Sequence, residues 1–321
     1  MMTRHSYLEW IYDVAHSVWM GVGVFIVSFL IAASTQAQSS AISISPLTFE
    51  LTANPGDKFT NIVKVYNNGD TPVNVTMEVH DFAPTGEEGK VTLATDEDYS
   101  YSLTKWVTVN QETFQIEPQS FRPVEFTVTL PPNAEPGGHY GTVLASVSGV
   151  TEGTGAAISQ KIGSLLLLQV AGTAKESLSI ASMEAPEFSE YGPVIIASRF
   201  QNNGTVHLKP RGFILVQNMF GQETAKLNLD QKNVLPNSVR RIESTLDRKW
   251  LWGKYTATLT AIYGSTNEPL SYTVSFLVIP WRVSLAVGIA SLIVLIILYR
   301  ARRRIFLALK ILLKGEHDGR M

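Results

Sequence analysis

Apolar and polar residues alternate with a period of two through most of the chain. Val73, Val75, Met77 and Val79 alternate with Asn74, Thr76, Glu78 and His80, and Val124, Phe126, Val128 and Leu130 alternate with Glu125, Thr127 and Thr129. Tyr255, Ala257, Leu259 and Ala261 repeat the pattern against Thr256, Thr258 and Thr260, and Leu270, Tyr272, Val274, Phe276 and Val278 against Ser271, Thr273 and Ser275. Side chains on a strand point alternately to its two faces, so these segments predict antiparallel strands with one buried face. Ile162 to Val170 is nearly continuous in apolar residues and predicts a strand buried on both faces. Residues 41–280 carry no long amphipathic helical pattern.

Turn residues punctuate the strands at Asn54-Pro55-Gly56-Asp57, Asn67-Asn68-Gly69-Asp70, Pro131-Pro132-Asn133, Pro136-Gly137-Gly138 and Asn202-Asn203-Gly204. The Asn-Gly pairs allow the positive φ of a tight hairpin. Two marks recur. IVKVYNNGDTPVNV (62–75) parallels IASRFQNNGTVHLK (196–209), and GGHYGTVLASV (137–147) parallels WGKYTATLTAI (252–262). The repeats predict an all-β protein of two tandem immunoglobulin-like sandwiches, residues 38–172 and 173–280, the first with a long insertion around 83–103.

Two apolar runs lie outside these domains. Residues 18–33 follow Arg4 and precede Thr35 and Ala37 in the −3 and −1 positions of a cleavage site, so residues 1–37 read as a signal peptide. Residues 283–299 carry no charge and are flanked by Trp281 and Tyr299, which predicts a single transmembrane helix over 281–299. Arg300, Arg302, Arg303 and Arg304 follow directly. By the positive-inside rule residues 300–321 form a basic cytoplasmic tail, the four arginines meet the membrane surface, and the domains lie outside the cell membrane. Ile305, Leu309, Leu312 and Leu313 stand at helical spacing beside Lys310 and Lys314, which reads either as a helix lying on anionic lipid or as a basic stop-transfer flank with no further role.

Charge is divided unevenly along the chain. Residues 41–172 hold 6 basic and 15 acidic side chains, residues 173–280 hold 11 and 9, and residues 281–321 hold 8 and 2. An acidic first domain argues against nucleic acid, whose phosphates require an excess of Lys and Arg. The chain has no cysteine, which removes disulfides, thiolate metal sites and a cysteine nucleophile. Each sandwich must therefore rest on its apolar core.

Candidate chemistry is sparse. His80, His139 and His207 are the histidines of the exterior part, and none has metal-ligand spacing to another. Motifs of serine hydrolases, zinc proteases, P-loops and dinucleotide folds are absent, so the expectation is a protein without enzymatic activity, metal or cofactor. Asp96-Glu97-Asp98, near Glu87-Glu88, is an oxygen-rich cluster without the order of a known calcium loop, and reads as a solvated acidic loop. Trp106 reads as a core anchor. Asn74-Val75-Thr76 and Asn203-Gly204-Thr205 match the glycosylation pattern by chance in strands and turns. Arg240-Arg241 and Arg248-Lys249, on either side of one predicted strand, form a basic rim suited to an acidic protein partner.

The ordered segments carry a resemblance. ISPLTFELTANPGDKFTNIVKVYNNGDTPVNVTMEVHDF, KWVTV and FRPVEFTVTLPPNAEPGGHYGTVLASV resemble the N-terminal domain of the WxL protein interacting proteins of bacterial surfaces. IIASRFQNNGTVHLKPRGFILVQNMFG, VLPNSVRRIE, GKYTATLTAIYG and YTVSFLVIP are similar to the C-terminal domain of that family, which also ends in a membrane helix and a short basic tail. The resemblance implies a membrane-anchored receptor for secreted WxL proteins, with a peptidoglycan-binding first domain and a partner-binding second one. The residues themselves support a non-enzymatic surface-binding protein, and as the alternative an assembly chaperone that offers a sheet edge to exported clients.

Overall fold

In a computed structural model of the chain, residues 42–94, 99–147 and 160–314 are described, residues 303–314 through their backbone alone. The expected signal peptide lies outside them, as do Asp96, Glu97 and Asp98.

The chain folds as the alternation predicts, into two all-β immunoglobulin-like sandwiches followed by one helix. The first contains β1 (Ile42–Ser45), β2 (Thr48–Ala53), β3 (Lys58–Asn67), β4 (Val73–Thr85), β5 (Lys90–Leu93), β6 (Val107–Val109), β7 (Thr113–Ile116), β8 (Ser120–Thr129), β9 (Gly137–Val147) and β10 (Gln160–Val170). One sheet has the order β1-β3-β8-β6. The other has β2-β10-β9-β4-β5, with β7 also on β4. The second sandwich contains β11 (Leu178–Glu184), β12 (Phe188–Ser189), β13 (Val194–Asn202), β14 (Arg211–Asn218), β15 (Glu223–Asn228), β16 (Val239–Leu246), β17 (Gly253–Tyr263) and β18 (Glu268–Val278), in sheets β11-β13-β16 and β12-β18-β17-β14-β15. Apart from β7, which has no counterpart in the second, the larger sheets follow one strand order, and in each the outermost strand, β2 or β12, pairs in parallel with the last.

The alternating apolar residues fill the space between sheets. Val63, Val65, Val124, Phe126 and Leu166 are fully buried in the first core, and Ile196, Phe200, Ile214, Val216 and Ile242 in the second. Each such side chain contributes about 1.5–3 kcal/mol relative to exposure. Trp106 packs against the first core and onto the His139 ring, 4.4 Å between centroids. β10 is buried on both faces because it has two cores to serve. Leu166 and Leu168 point into the sandwich, while Leu167 packs with Phe82, Tyr140 and Leu235 of the second domain.

The repeated Asn-Asn-Gly turns are not hairpins. β3 and β4 lie in different sheets, as do β13 and β14, so each turn is a corner between sheets. Gly69 and Gly204 do not take positive φ. The first asparagine holds the corner instead. Asn67 Nδ2 donates to the carbonyls of Thr71 (2.8 Å) and Ile116 (3.2 Å), and its Oδ1 accepts from Gly69 N–H. Asn202 Nδ2 donates to Val206 and Val234, both at 2.8 Å, and its Oδ1 accepts from Gly204 N–H. Both asparagines are buried. A buried amide is stable only when its donors and acceptor are satisfied, and here they tie each corner to a segment distant in the chain, that of Ile116 or of Val234.

After β18 the chain enters α1 (Trp281–Lys314), whose Trp281–Arg302 portion is long and apolar enough to cross a membrane. Helix continues through Arg300, Arg302, Arg303 and Arg304 to Lys314, so residues 305–314 extend α1 rather than forming a separate surface helix. After Gly288, no glycine or proline interrupts the run to Lys314.

Candidate functional site

Two features could engage a partner: the seam between the domains and the open edges of the sheets.

The seam is built largely by the insertion of the first domain. Its β4–β5 hairpin carries Glu87 and Glu88 onto β16 and β13. Arg199 Nε donates to the Glu87 carboxylate at 2.7 Å, and a second guanidinium contact makes the pair bidentate. The Arg241 N–H donates to the Glu87 carbonyl at 2.8 Å, so the hairpin covers part of the outer edge of β16. The Arg241 side chain pairs with Glu243 and lies 3.7 Å from Glu88. Arg240 lies over Gly89, whose φ is 76° and where an added Cβ would fall 1.0 Å from the guanidinium. The hydrogen bond from Arg199 holds the Glu87 carboxyl below its usual range, while burial works against the charge of Arg240.

A second row of contacts closes the other side. Lys209 Nζ reaches both oxygens of Glu50 at 2.6 and 2.8 Å, Asn233 Nδ2 donates to Glu50 at 2.7 Å, and Gly138 N–H donates to the Thr205 carbonyl at 2.8 Å. The Tyr140 hydroxyl sits 3.4 Å from His207 Nδ1. Burial pushes His207 down to about 4 and raises Tyr140. Between the rows lies a cavity of about 240 Å³, lined by Phe82, Leu165, Leu167, Leu235 and Arg240 among others.

The basic rim expected around one strand is thereby split. Arg240 and Arg241 lie on β16 and face the acidic hairpin of the same chain. Arg248 and Lys249 are exposed beyond the far end of β16, roughly 20–25 Å along a strand at ~3.3 Å per residue. Arg300 and Arg302 are on α1, with Arg302 4.2 Å over the Tyr299 ring.

No reactive cluster assembles among the described residues. His80 pairs with Glu78 at 3.1 Å, His139 is clamped between the carbonyls of Ser102 and Glu135 at 3.0 Å each, and His207 belongs to the seam. Asp81 is spent on structure. Desolvation raises its pKa, but hydrogen bonds from the hydroxyls of Ser102 and Thr104 and the N–H groups of Leu103 and Thr104 outweigh it and hold the carboxyl low. Among the described residues no group of three His, Asp or Glu could hold a metal ion.

The edges are chemically simpler. Leu277 N–H donates to the Glu187 carbonyl (3.1 Å) and Ile279 N–H to that of Ser189 (3.0 Å), so odd-numbered residues of β18 turn their backbone groups away from β17. β12 covers this side only at Leu277 and Val278. The outward N–H and C=O groups of Ser271, Thr273 and Ser275 have no backbone partner among the described residues. Pro269 shares their parity, the one position type in a strand where a missing N–H costs nothing. On β10, Leu165 N–H donates to Leu47 and β2 covers residues 165–170, leaving Lys161 and Gly163 as the outward positions beyond it. The strands were legible in sequence. Which edge stays open was not, although the proline parity in β18 was a usable signal.

No family model matches the chain, and no curated protein matches it. Among solved structures, it is similar to the class 5 fimbriae chaperone CfaA, with 12% identity over 74% of this chain and 99% of that one and a TM-score of 0.38. The YadV chaperone gives 10% over 74% and 100% with a TM-score of 0.37. A chain of the Salmonella enterica SafA pilin–SafB chaperone complex gives 12% over 74% and 99% with a TM-score of 0.36; likenesses of this level concern the fold alone.

Proposed function

We propose that this chain is a membrane-tethered binding protein that takes up an extended segment of an exported protein as an added strand on the open edge of β18, acting as an assembly chaperone or docking receptor for that client. The observation that carries this reading is the row of unpaired outward backbone groups at Ser271, Thr273 and Ser275. Such a row pairs with an incoming strand regardless of its side chains, and flanking side chains then select the register. On β18 these are Leu270 and Val274, at the margin of the core, and Tyr272, which is 39% exposed. No covalent chemistry is required. The client is a secreted surface protein, the class that the WxL resemblance implies; peptidoglycan, implied by the same resemblance for the first domain, is a second ligand to measure. The tether is α1, with Arg300–Arg304 on the cytoplasmic side of the cell membrane and both sandwiches outside.

Thr273→Pro tests the edge. Its N–H points away from β17, so proline leaves the β17–β18 ladder intact while removing the donor and crowding an incoming strand. Exported proteins recovered with the wild-type chain from solubilised membranes should be lost with Thr273→Pro, while its melting curve stays unchanged. Equal recovery with both chains would exclude this edge as the site. Protease added to intact protoplasts should remove both domains and leave a protected C-terminal fragment.

A further inference from the structure

The end of the second sandwich that leads into α1 carries a concentration of exposed aromatic residues that the described part of the first domain does not share. Phe220 is 78% exposed, Trp252 65%, Trp250 64% and Phe188 51%. Exposed large apolar residues of the first domain, such as Leu47, Ile62 and Phe121, lie on separate strands and connections. Single exposed apolar residues are ordinary, whereas a cluster marks a contact surface.

Register places the cluster around the root of the helix. Gly253, the first residue of β17, pairs with Val278, the last of β18, and α1 starts at Trp281. Phe188 pairs with Leu277. Met219, beside Phe220 in the β14–β15 turn, lies over Gly253, where an added Cβ would fall 2.7 Å from its Cε. The β16–β17 connection is tied to the β12–β13 connection by a bond from Gly192 N–H to the Lys249 carbonyl (3.2 Å) and by an edge contact of the Trp250 and Tyr191 rings, 5.5 Å between centroids. Arg282 in the first turn of α1 reaches Glu190 at 3.5 Å. The apolar side chains of α1 are themselves exposed, so the helix stands clear of the sandwich and the aromatic loops surround its base.

From these placements we infer that the α1 end of the second domain docks on the bilayer, with Phe220, Trp250 and Trp252 seated at headgroup level beside Trp281. The inference rests on the reading of α1 as the membrane tether. Trp281 and Tyr299 are separated by about 27 Å of helix at 1.5 Å per residue, close to the ~30 Å hydrocarbon thickness, which sets Trp281 at one interface. Loops that surround Trp281 share its level. Trp and Tyr suit that level because a polar edge and an apolar body meet a boundary of the same kind, and Phe220 adds purely apolar area on its inner side. Charge contributes little. Arg248, Lys249, Lys254 and Arg282 stand against Glu187, Glu190 and Asp247, so seating depends on the aromatic rings more than on anionic lipid. The consequence for the proposed client site is direct: β18 rises from the membrane surface with its open edge starting just above it.

The absence of cysteine allows a direct test. Phe220→Cys, Lys249→Cys and Leu295→Cys are labelled separately with a nitroxide in the full chain and reconstituted in phosphatidylcholine vesicles or in equimolar phosphatidylcholine and phosphatidylglycerol. Docking is supported if probes at 220 and 295 both show greater accessibility to oxygen than to a water-soluble nickel chelate in both vesicles, with the 249 probe intermediate. A lipid-exposed 295 with a water-exposed 220 overturns the docking and leaves the tether standing. A 220 probe shielded from both reagents means the loops meet protein instead, which also overturns it. A water-exposed 295 overturns tether and docking together.

Discussion

β10 and β18 end two domains drawn on one plan, yet β10 is covered by a parallel strand along six of its eleven residues and β18 along only two. The cause lies at the opposite end of each domain. β1 is four residues long, and the chain then changes sheets early enough for β2 to lie along β10. β11 is seven residues long and stays with β13, so only Phe188–Ser189 remain for β18. Neither domain has lost a strand. How far the first strand runs before changing sheets decides how much of the last remains available to another chain.

Proline substitutions break this comparison most sharply. Leu167 and Thr273 both turn their backbone outward, but Leu167 lies under β2 and Thr273 does not. Leu167→Pro deletes a ladder bond and leaves a β2 carbonyl without its donor, which should cost about 1–3 kcal/mol, and Val274→Pro, whose N–H faces β17, should cost as much. Thr273→Pro should stay within about 0.5 kcal/mol, as surface changes do. Urea unfolding of the full chain in detergent measures all three, and a large loss for Thr273→Pro would show that its edge is covered.

The corner asparagines should behave alike in both domains. Asn67→Ala and Asn202→Ala each strand buried carbonyls, at ~1–3 kcal/mol per group left unpaired, and should destabilise their own domain by roughly 2–3 kcal/mol. A near-neutral result for one would mean that its corner is held by other contacts.

His207 separates the seam from the domains it joins. Its pKa is depressed by burial to about 4 against an ordinary 6.5, so the folded seam resists a proton that the opened form accepts. Stability is therefore complete above pH 6.5, declines as the pH falls below it, and levels off below pH 4. At ~1.4 kcal/mol per unit over about 2.5 units, the full loss is on the order of 3–4 kcal/mol. His207→Gln should flatten the dependence of seam opening on pH between those limits, read by amide exchange at Gly138, whose N–H donates across the seam. The smallest effect belongs to Glu87→Gln, which should raise amide exchange at Arg241 while leaving both domains' unfolding midpoints where they were.

Much of the fold was written in local pattern. Alternation located the core strands, because a strand with one wet face must alternate, and the unbroken apolar run of Ile162 to Val170 marked a strand with two dry faces. The Asn-Asn-Gly repeats reveal the duplication but by themselves predict hairpins. The same residues suit a hairpin or an inter-sheet corner, and the choice depends on the distant carbonyls of Ile116 and Val234. Arg240 and Arg241 read as part of an exposed rim because no local signal announces that Glu87 and Glu88, some 150 residues earlier in the chain, lie against them. Phe220, Trp250 and Trp252 are visible as letters, but their convergence comes from two separate connections, β14–β15 and β16–β17, meeting at one end of the sandwich.

By itself the sequence determined the all-β class, the doubling of the domain and the apolar helix that follows, since each is encoded in the period or length of a contiguous segment. Only the tertiary structure decided which backbone edge remains open, which charges are consumed between the domains, and which aromatic residues surround the base of α1. Those properties depend on where the chain crosses between sheets and which distant segments it meets there, and hydrophobic periodicity carries no record of either.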